Sequence, residues 1–478
     1  MYPVTRRQAL MQSGMGVGTL ALHWLLASES ASAAPAILKL KPHNDLLPRE
    51  PHFAPRAKAM ISLFQHGGPS HMDLTDPKPM LSKLDGTDYP GEVQFSFVNQ
   101  ASKKLLGSPF SFQQHGECGT ELSELLPHTA KVVDDVCLIR SMHTGANGHE
   151  VSIRYFHGGI PGILGRPTFG SWLTYALGSE TQDLPAFMVL SDPGGHPVDG
   201  ATNWSNGFMP AMFQGTVLRP REPRILNLQP PLHLSQSIQR QNLDLLQSLN
   251  RQYLDAHPGE SELEARIASY ELAARMQTAA TDALDISKET AATHTMYGLD
   301  NPETREYGTR CLLARRLVER GVRFVQLFHS GQPWDNHSDL KAGLSSICRK
   351  TDQPAAALVA DLRQRGLLET TLVHWGGEIG RLPVTQDHGA PEKAGRDHNG
   401  QGFSIWLAGG GVQGGMTFGK TDDFGHHAVE NVVTPNDFQA TIMHLFGLNW
   451  EQVVYPHNNQ LQIVTANRAA RVVKEILA

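Results

Sequence analysis

Carboxylates, imidazoles and glycines follow four short apolar runs of this chain. After residues 60–65 come His66, Gly67, Gly68, Pro69, Ser70, His71 and Asp73, and after 136–140 come Ser141, His143, Asn147, His149 and Glu150. After 322–328 come His329, Asp335, Asn336 and His337, and after 371–375 comes Glu378; Asp397 and His398 stand just before 403–407. A divalent cation requires this mixture, carboxylate oxygens and neutral imidazoles delivered from different elements onto one point. The glycines let backbone approach closely. The chain has 23 histidines in 478 residues, and many stand beside Asp, Glu and Gly rather than on apolar faces. Taken singly, Asp335-Asn336-His337 reads equally well as a turn and Glu378 as a surface acid. Taken together, the four ends point to a metal site.

Other motifs fail on their surroundings. Gly409 to Gly414 matches GxGxxG, but Gly415, Thr417, Gly419 and Thr421 follow where a dinucleotide fold needs a helix. His149-Glu150 begins like HExxH, yet the next histidine is His157. No GxSxG elbow is present. His426-His427 reads as exposed loop histidines in preference to outer ligands.

The runs 60–65, 136–140, 187–190, 322–328, 371–375 and 403–407 are continuous rather than alternating, as in strands covered on both faces of a parallel sheet. Helices are expected between them. Residues 303–320 place Tyr307, Cys311, Ala314, Leu317 and Val318 on one stripe that ends at Gly321, and 340–365 supply a crossover that ends at Gly366. Thr434-Pro435-Asn436-Asp437 opens a late helix through Phe438, Ile442, Leu445 and Phe446 to Gly447. In open α/β sheets ligands bind beyond the carboxyl ends of the strands, where these acids and histidines fall. Between about 232 and 290 the pattern changes to two helical stretches parted by His257-Pro258-Gly259. Leu234, Ile238, Leu245, Leu249 and Tyr253 recur there at helical spacing, which reads as a helical-hairpin insertion packed on the sheet or over the site.

Thr5-Arg6-Arg7-Gln8-Ala9-Leu10, an apolar Gly-punctuated stretch to Leu26, and Ala31-Ser32-Ala33 read as a twin-arginine export signal over 1–33. The remainder, 34–478, is expected to form one elaborated domain, periplasmic or secreted. No other segment approaches the roughly 20 apolar residues that span a bilayer, so no stable membrane insertion is expected. The net charge is −6 and no basic run stands out, which argues against nucleic acid as a partner. Cys118, Cys137, Cys311 and Cys348 are too few and too scattered for a disulfide scaffold. Buried free thiols and one Cys118–Cys137 bridge both remain open.

The stretches "HGGPSHMDLTDPKP", "RSMHTGANGHE", "WDNH", "GGEIGR", "GRDHNGQGFSIWLAGGGVQGG" and "TPNDFQATIMHLFGL" occur in that order behind the export signal. Over nearly the whole mature chain they resemble a large family of exported bacterial proteins of unknown function, sulfatase-like and within the alkaline phosphatase superfamily. The resemblance implies an α/β/α sandwich with a mostly parallel central sheet and one or two divalent metals at its carboxyl edge. It implies transfer of sulfuryl or phosphoryl groups through a Ser, Thr or formylglycine nucleophile. By motif, Asp335 and His337 correspond to the middle metal pair and Glu378 to the acid after a later strand. Asp397 with His398 corresponds to the last ligand or substrate clamp, and His66 to the first-strand acid. The Cys/Ser-x-Pro-x-Arg signature is missing, with Thr144, Asn147 and His149 in roughly its place, and Ile379 stands where a histidine would follow Glu378.

The reading that follows is a metal-dependent hydrolase of sulfate or phosphate esters. His66, Asp335, His337, Glu378, Asp397 and His398 would hold a divalent ion (Zn, Ca, Mn or Mg). Ser70, Thr144 or His149 would serve as nucleophile or base, and Arg381, Arg396, His143 and Asn147 would bind a small-molecule or polysaccharide anionic ester. The alternative is a non-catalytic exported binding or assembly protein that keeps the fold, with or without a metal.

Overall fold

The computed structural model describes residues 43–96, 101–226, 228, 235–257, 261–386 and 391–478. The stretch read as an export signal lies outside the described residues, as do Leu234 and Pro258-Gly259 of the insertion. Chain contacts divide the molecule into two units. In one, the described residues are His43 and 454–462, the latter an antiparallel hairpin of Tyr455–His457 with Gln460–Gln462. Asn458 and Asn459 form its turn at φ 49° and 58°, a conformation that Asn tolerates better than most side chains.

The other unit, 44–453 with 463–478, contains the sheets and helices that follow. Its main strands in chain order are β1 (Ala59–Phe64), β2 (Ala101–Leu105), β3 (Val136–Met142), β4 (Phe187–Leu190), β5 (Thr216–Leu218) and β6 (Phe324–Leu327), then β7 (Thr371–Gly376), β8 (Gly380–Gln386), β9 (Gly395–Asn399), β10 (Phe403–Ala408) and β11 (Met416–Phe418). Eight of them form the central sheet in the order β11-β3-β10-β7-β1-β6-β4-β5, and β9-β8-β2 form a small antiparallel sheet. Every residue of β1, β7 and β10 is buried, as their unbroken apolar character requires of strands covered on both faces.

The helices are α1 (His149–Gly158), α2 (Phe169–Leu177), α3 (Gln236–Ala256), α4 (Ser261–Leu284), α5 (Arg305–Glu319), α6 (Leu340–Gln364) and α7 (Pro435–Leu445). One face of the sheet, with Ile61, Leu63, Val325 and Val373, packs against Cys311, Leu317, Leu344 and Leu358 of α5 and α6. On the other face, Phe64 meets Phe156 of α1 and His374 meets Phe438 of α7, so the sheet lies between two helical layers. This is a mixed α/β fold with a large, mostly parallel sheet. The late helix starts with a full capping box between Thr434 and Asp437, with Pro435 at its first position.

Seven of the eight central strands run the same way. β10 is the exception, antiparallel to both β3 and β7. Its first residue, Phe403, pairs with Met142 at the end of β3, and its last, Ala408, pairs with Val136 at the start. The inversion brings Asp397 and His398, which precede the strand, to the rim where the parallel strands end.

The helical stripe in the insertion does not pack on the sheet or over the site, contrary to expectation. Ile238, Leu245, Leu249 and Tyr253 are 48%, 61%, 53% and 51% exposed. Instead α3 meets α4 through its other side, where Gln239 Nε2 donates to Gln277 at 3.0 Å and Gln247 Nε2 to Glu271 at 2.6 Å. It is α4 that enters the core, through Met276, Ala280 and Ala283.

Candidate metal centre

At the rim, three imidazoles converge on one carboxylate. His149 Nε2 lies 3.4 Å from Asp335 Oδ2, and His337 Nε2 and His398 Nε2 lie 2.9 Å and 3.1 Å from Asp335 Oδ1. The last two nitrogens are 2.9 Å from each other. The opposite nitrogen of each ring faces an oxygen: Nδ1 of His149 meets Glu378 Oε1 at 2.6 Å, that of His337 meets Gln386 Oε1 at 2.6 Å, and that of His398 meets the Asn147 carbonyl at 2.7 Å. An acceptor at Nδ1 calls for Nδ1–H and leaves the Nε2 lone pair for a ligand, the arrangement usual for metal-bound histidine.

Local sequence places each group. His149 is the first residue of α1, behind Gly148. Asp335 and His337 follow β6, and Asp397 and His398 belong to β9. Gly67, at φ 106°, passes so close that a Cβ there would sit 2.6 Å from the Asp335 nitrogen, so this turn needs glycine. Arg381, 0% exposed, reaches Asp335 Oδ1 at 2.6 Å while donating to the carbonyls of Gly67, Gly68 and Arg396.

Burial opposes charge on Asp335, but the Arg381 guanidinium and the hydrogen bonds from His149, His337 and His398 outweigh it, holding the carboxyl far below its usual range. Burial likewise disfavours a charged His149, and bonds to Asp335 and Glu378 overcome it, pushing the imidazole up to about 9. For His398 burial prevails and lowers the pKa despite Asp335. Burial opposes charge on Glu378, but the hydrogen bond and charge of His149, the charge of His66 and a backbone hydrogen bond together hold it below its usual range.

A divalent cation fits this donor set. Two imidazole lone pairs at 2.9 Å repel unless a proton or a cation lies between them. The edges of the triangle formed by Asp335 Oδ1, His337 Nε2 and His398 Nε2 are 2.9, 3.1 and 2.9 Å. Donors sharing a tetrahedral ion at 2.0–2.1 Å are roughly 3.3 Å apart. His149 Nε2 is buried with Asp335 Oδ2 as its neighbour at 3.4 Å, the spacing of two ligand atoms that share an ion. His149, Asp335, His398 and His337 would therefore hold the ion. A second grouping of His337, Asp397 and His398 is less suited, because the Asp397 oxygens already accept the N–H groups of His398 and Ser96.

Several expected residues take other places. Glu378 orients His149 and accepts Gly67 N–H at 3.0 Å instead of joining the ligands. His66 is fully buried 3.4 Å from Asn203 Oδ1, with its ring against Phe64 and Phe328; burial pushes it down to about 4, and it belongs to neither ligand grouping. Ser70 donates to Asp73 at 2.5 Å, and Asp73 is clamped by both arms of Arg396 at 2.8 and 3.2 Å, so Ser70 is no free nucleophile and Arg396 no anion clamp. Arg381 is likewise spent on Asp335 and backbone carbonyls. Thr144 donates to the carbonyls of Ala146 and Gly400, and His143 Nδ1 faces the Gln401 carbonyl at 3.2 Å. The Asn147 amide is held by Gln94 O and Gly400 N, at the wall of the site. Gln386, Gly67 and Ser96 support the site without having been singled out for that role. Only the glycine pair 67–68 carried a local signal.

His149, Asp335 and His398 line an open cavity of about 530 Å³, whose wall includes Phe95, Asn147, Glu150 and Gln332. A family model described as "Protein of unknown function (DUF1501)" matches residues 57–477. The chain belongs to that family. No curated protein matches it. Solved structures with some likeness include PsFucS1 sulfatase from Pseudoalteromonas sp., 12% identical over 84% of this chain and 68% of that one, TM-score 0.36. Others are the alkaline phosphatase of the Antarctic bacterium TAB5 (9% identical, 83% and 99% covered, TM-score 0.31) and phosphonate monoester hydrolase SpPMH from Silicibacter pomeroyi (12% identical, 74% and 71% covered, TM-score 0.29). TM-scores this low carry no argument, and the site stands on its own geometry.

Proposed function

We propose that this DUF1501 protein is an exported, metal-dependent hydrolase of sulfate or phosphate esters, acting in the periplasm or outside the cell on small-molecule or polysaccharide substrates. The observation that carries the reading is the convergence of three imidazole Nε2 atoms on Asp335, where His149, His398 and Asp335 line an open cavity. A divalent cation bound there supplies a Lewis acid for the ester oxygen and a lowered pKa for water. Among Zn, Ca, Mn and Mg, a donor set rich in imidazole favours zinc. Arg381 fixes Asp335, Glu378 and Gln386 fix the ring orientations, and Ser70 and Thr144 are tied elsewhere. Water is therefore the attacking group that this arrangement favours.

That last point also favours a second reading, a binding protein with the fold and the metal but no turnover. The test is metal content of the purified chain by mass spectrometry, then a screen of aryl sulfates, phosphomonoesters and phosphodiesters with each divalent ion. Turnover lost in a folded Asp335→Ala variant is the outcome expected of the hydrolase. Bound metal without turnover on any ester selects the binding protein, and absence of metal under every condition overturns both.

A further inference from the structure

The outer side of α3 is apolar and uncovered. Ile238, Leu245, Leu246, Leu249 and Tyr253 are 48%, 61%, 41%, 53% and 51% exposed, while Gln239 and Gln247 turn inward to α4. Half of five large side chains amounts to roughly 500 Å² of apolar surface, a patch of the size that marks an interaction site.

The stripe carries no charge. At about 100° per residue, Arg240, Asp244, Arg251 and Asp255 all fall more than about 120° round the helix from its centre. Depletion of charge is what the core of a protein interface requires. A lipid surface would ask instead for a cationic polar face, and α3 sets two Arg against two Asp and has no Lys.

The spacing of the stripe indicates the partner. Ile238 stands seven residues before Leu245 and Tyr253 seven after Leu246, so the pattern reads alike from either end about the point between Leu245 and Leu246. A two-fold contact needs that self-complementarity, because one patch must serve on both sides. Two antiparallel copies of α3 centred there set Ile238 level with Tyr253 of the partner subunit, Asn242 with Leu249 of the partner subunit, and Leu245 with Leu246 of the partner subunit. Over a helix about 31 Å long, the stripe and its polar margins Gln241, Ser248 and Gln252 approach the roughly 800 Å² per partner of a stable complex.

We propose that the outer face of α3 joins two copies of this chain, paired antiparallel about a two-fold axis between Leu245 and Leu246. None of the stripe residues lines the metal cavity, so the contact holds whether or not the chain is a hydrolase.

Sedimentation velocity on the full chain tests it. Wild type should be a dimer with a Kd of about 1 µM or below. Leu245→Glu with Leu249→Glu should weaken the dimer at least about 100-fold, at unchanged melting temperature and metal content because both side chains are already more than half exposed. Oxidative cross-linking reads the register. Leu245→Cys brings two thiols together beside the axis and should give a covalent dimer that wild type does not. Ile238→Cys leaves its thiols about 22 Å apart along the helices and should give none. A wild type still monomeric at about 100 µM, or a dimer that survives both glutamates, overturns the proposal. Cross-linking through Ile238→Cys overturns the antiparallel pairing. A monomer that floats with phosphatidylglycerol vesicles until the glutamates are introduced would give the face to a membrane and overturn the dimer.

Discussion

Two equally buried regions of this molecule treat a histidine in opposite ways. His157 and His374 lie among phenylalanines: ring centroids are 4.6 Å apart for Phe64 and His157, 5.5 Å for Phe156 stacked on His374, and 5.1 Å for His374 and Phe438. Neither bonds to a carboxylate among the described residues, and burial pushes both down to about 3. His149 at the rim is as little exposed as His157, each 6%, yet its pKa goes up to about 9 because Asp335 and Glu378 outweigh its burial penalty. Burial depth does not decide which histidines hold charge. What raises His149 is a carboxylate at each ring nitrogen, Asp335 and Glu378; His398, with Asp335 alone, stays lowered.

The comparison breaks most visibly at Asp335. In Asp335→Ala the three imidazoles lose their shared acceptor, and Arg381 is left buried without a carboxylate. Metal content should fall to background, and stability should drop by about 3–5 kcal/mol, the range for removing one partner of a buried pair. Denaturant titration and metal analysis check the two effects separately. Retained metal would mean that the carboxylate does not organise the rim.

The phenylalanine set predicts the next effect, in acid. The folded pKa values of His157 and His374, about 3, lie below the ordinary 6.5. Above pH 6.5 both are neutral folded or unfolded and cost nothing. As pH falls from 6.5 toward 3 only the unfolded chain takes up these protons, so stability declines by up to about 1.4 kcal/mol per pH unit for each histidine. His374→Phe keeps an aromatic ring among aromatics and should remove about one proton's worth of that slope between pH 6.5 and 4.5. An unchanged slope would mean that His374 is not held neutral.

The strands were readable because continuous apolar runs of four to seven residues have one economical fate, burial on both faces. The direction of β10 was not readable, since an apolar run carries no polarity, and pairing with both β3 and β7 set it. His66 and His149 look alike in sequence, each following a strand beside glycine. What separates them is the position of Glu378, more than two hundred residues beyond either, whose Oε1 bonds His149 and whose Oε2 has no hydrogen-bond partner. The stripe on α3 was legible as a helix and misleading as a packing surface, because periodicity reports an apolar face and not what covers it. The same limit applied to Ser70 and Arg396, whose mutual engagement through Asp73 follows from the fold alone.

The residues that orient the rim imidazoles sharpen the contrast further. Glu378→Gln keeps an oxygen at His149 Nδ1 and removes its charge. Metal affinity should fall about 10- to 100-fold, as for other partners that position a ligand, measured by competition with a chelator. The effect should be smaller at Gln386, whose contact with His337 Nδ1 is a neutral hydrogen bond of 2.6 Å. Gln386→Ala frees that ring to turn while leaving Asp335, His149 and His398 in place, so affinity should fall by roughly tenfold, with a stability change near 1 kcal/mol. The order of the two losses is the informative readout. If Gln386→Ala costs as much as Glu378→Gln, then charge at Nδ1 adds nothing beyond orientation, and what distinguishes the rim from the phenylalanine set is geometry more than electrostatics.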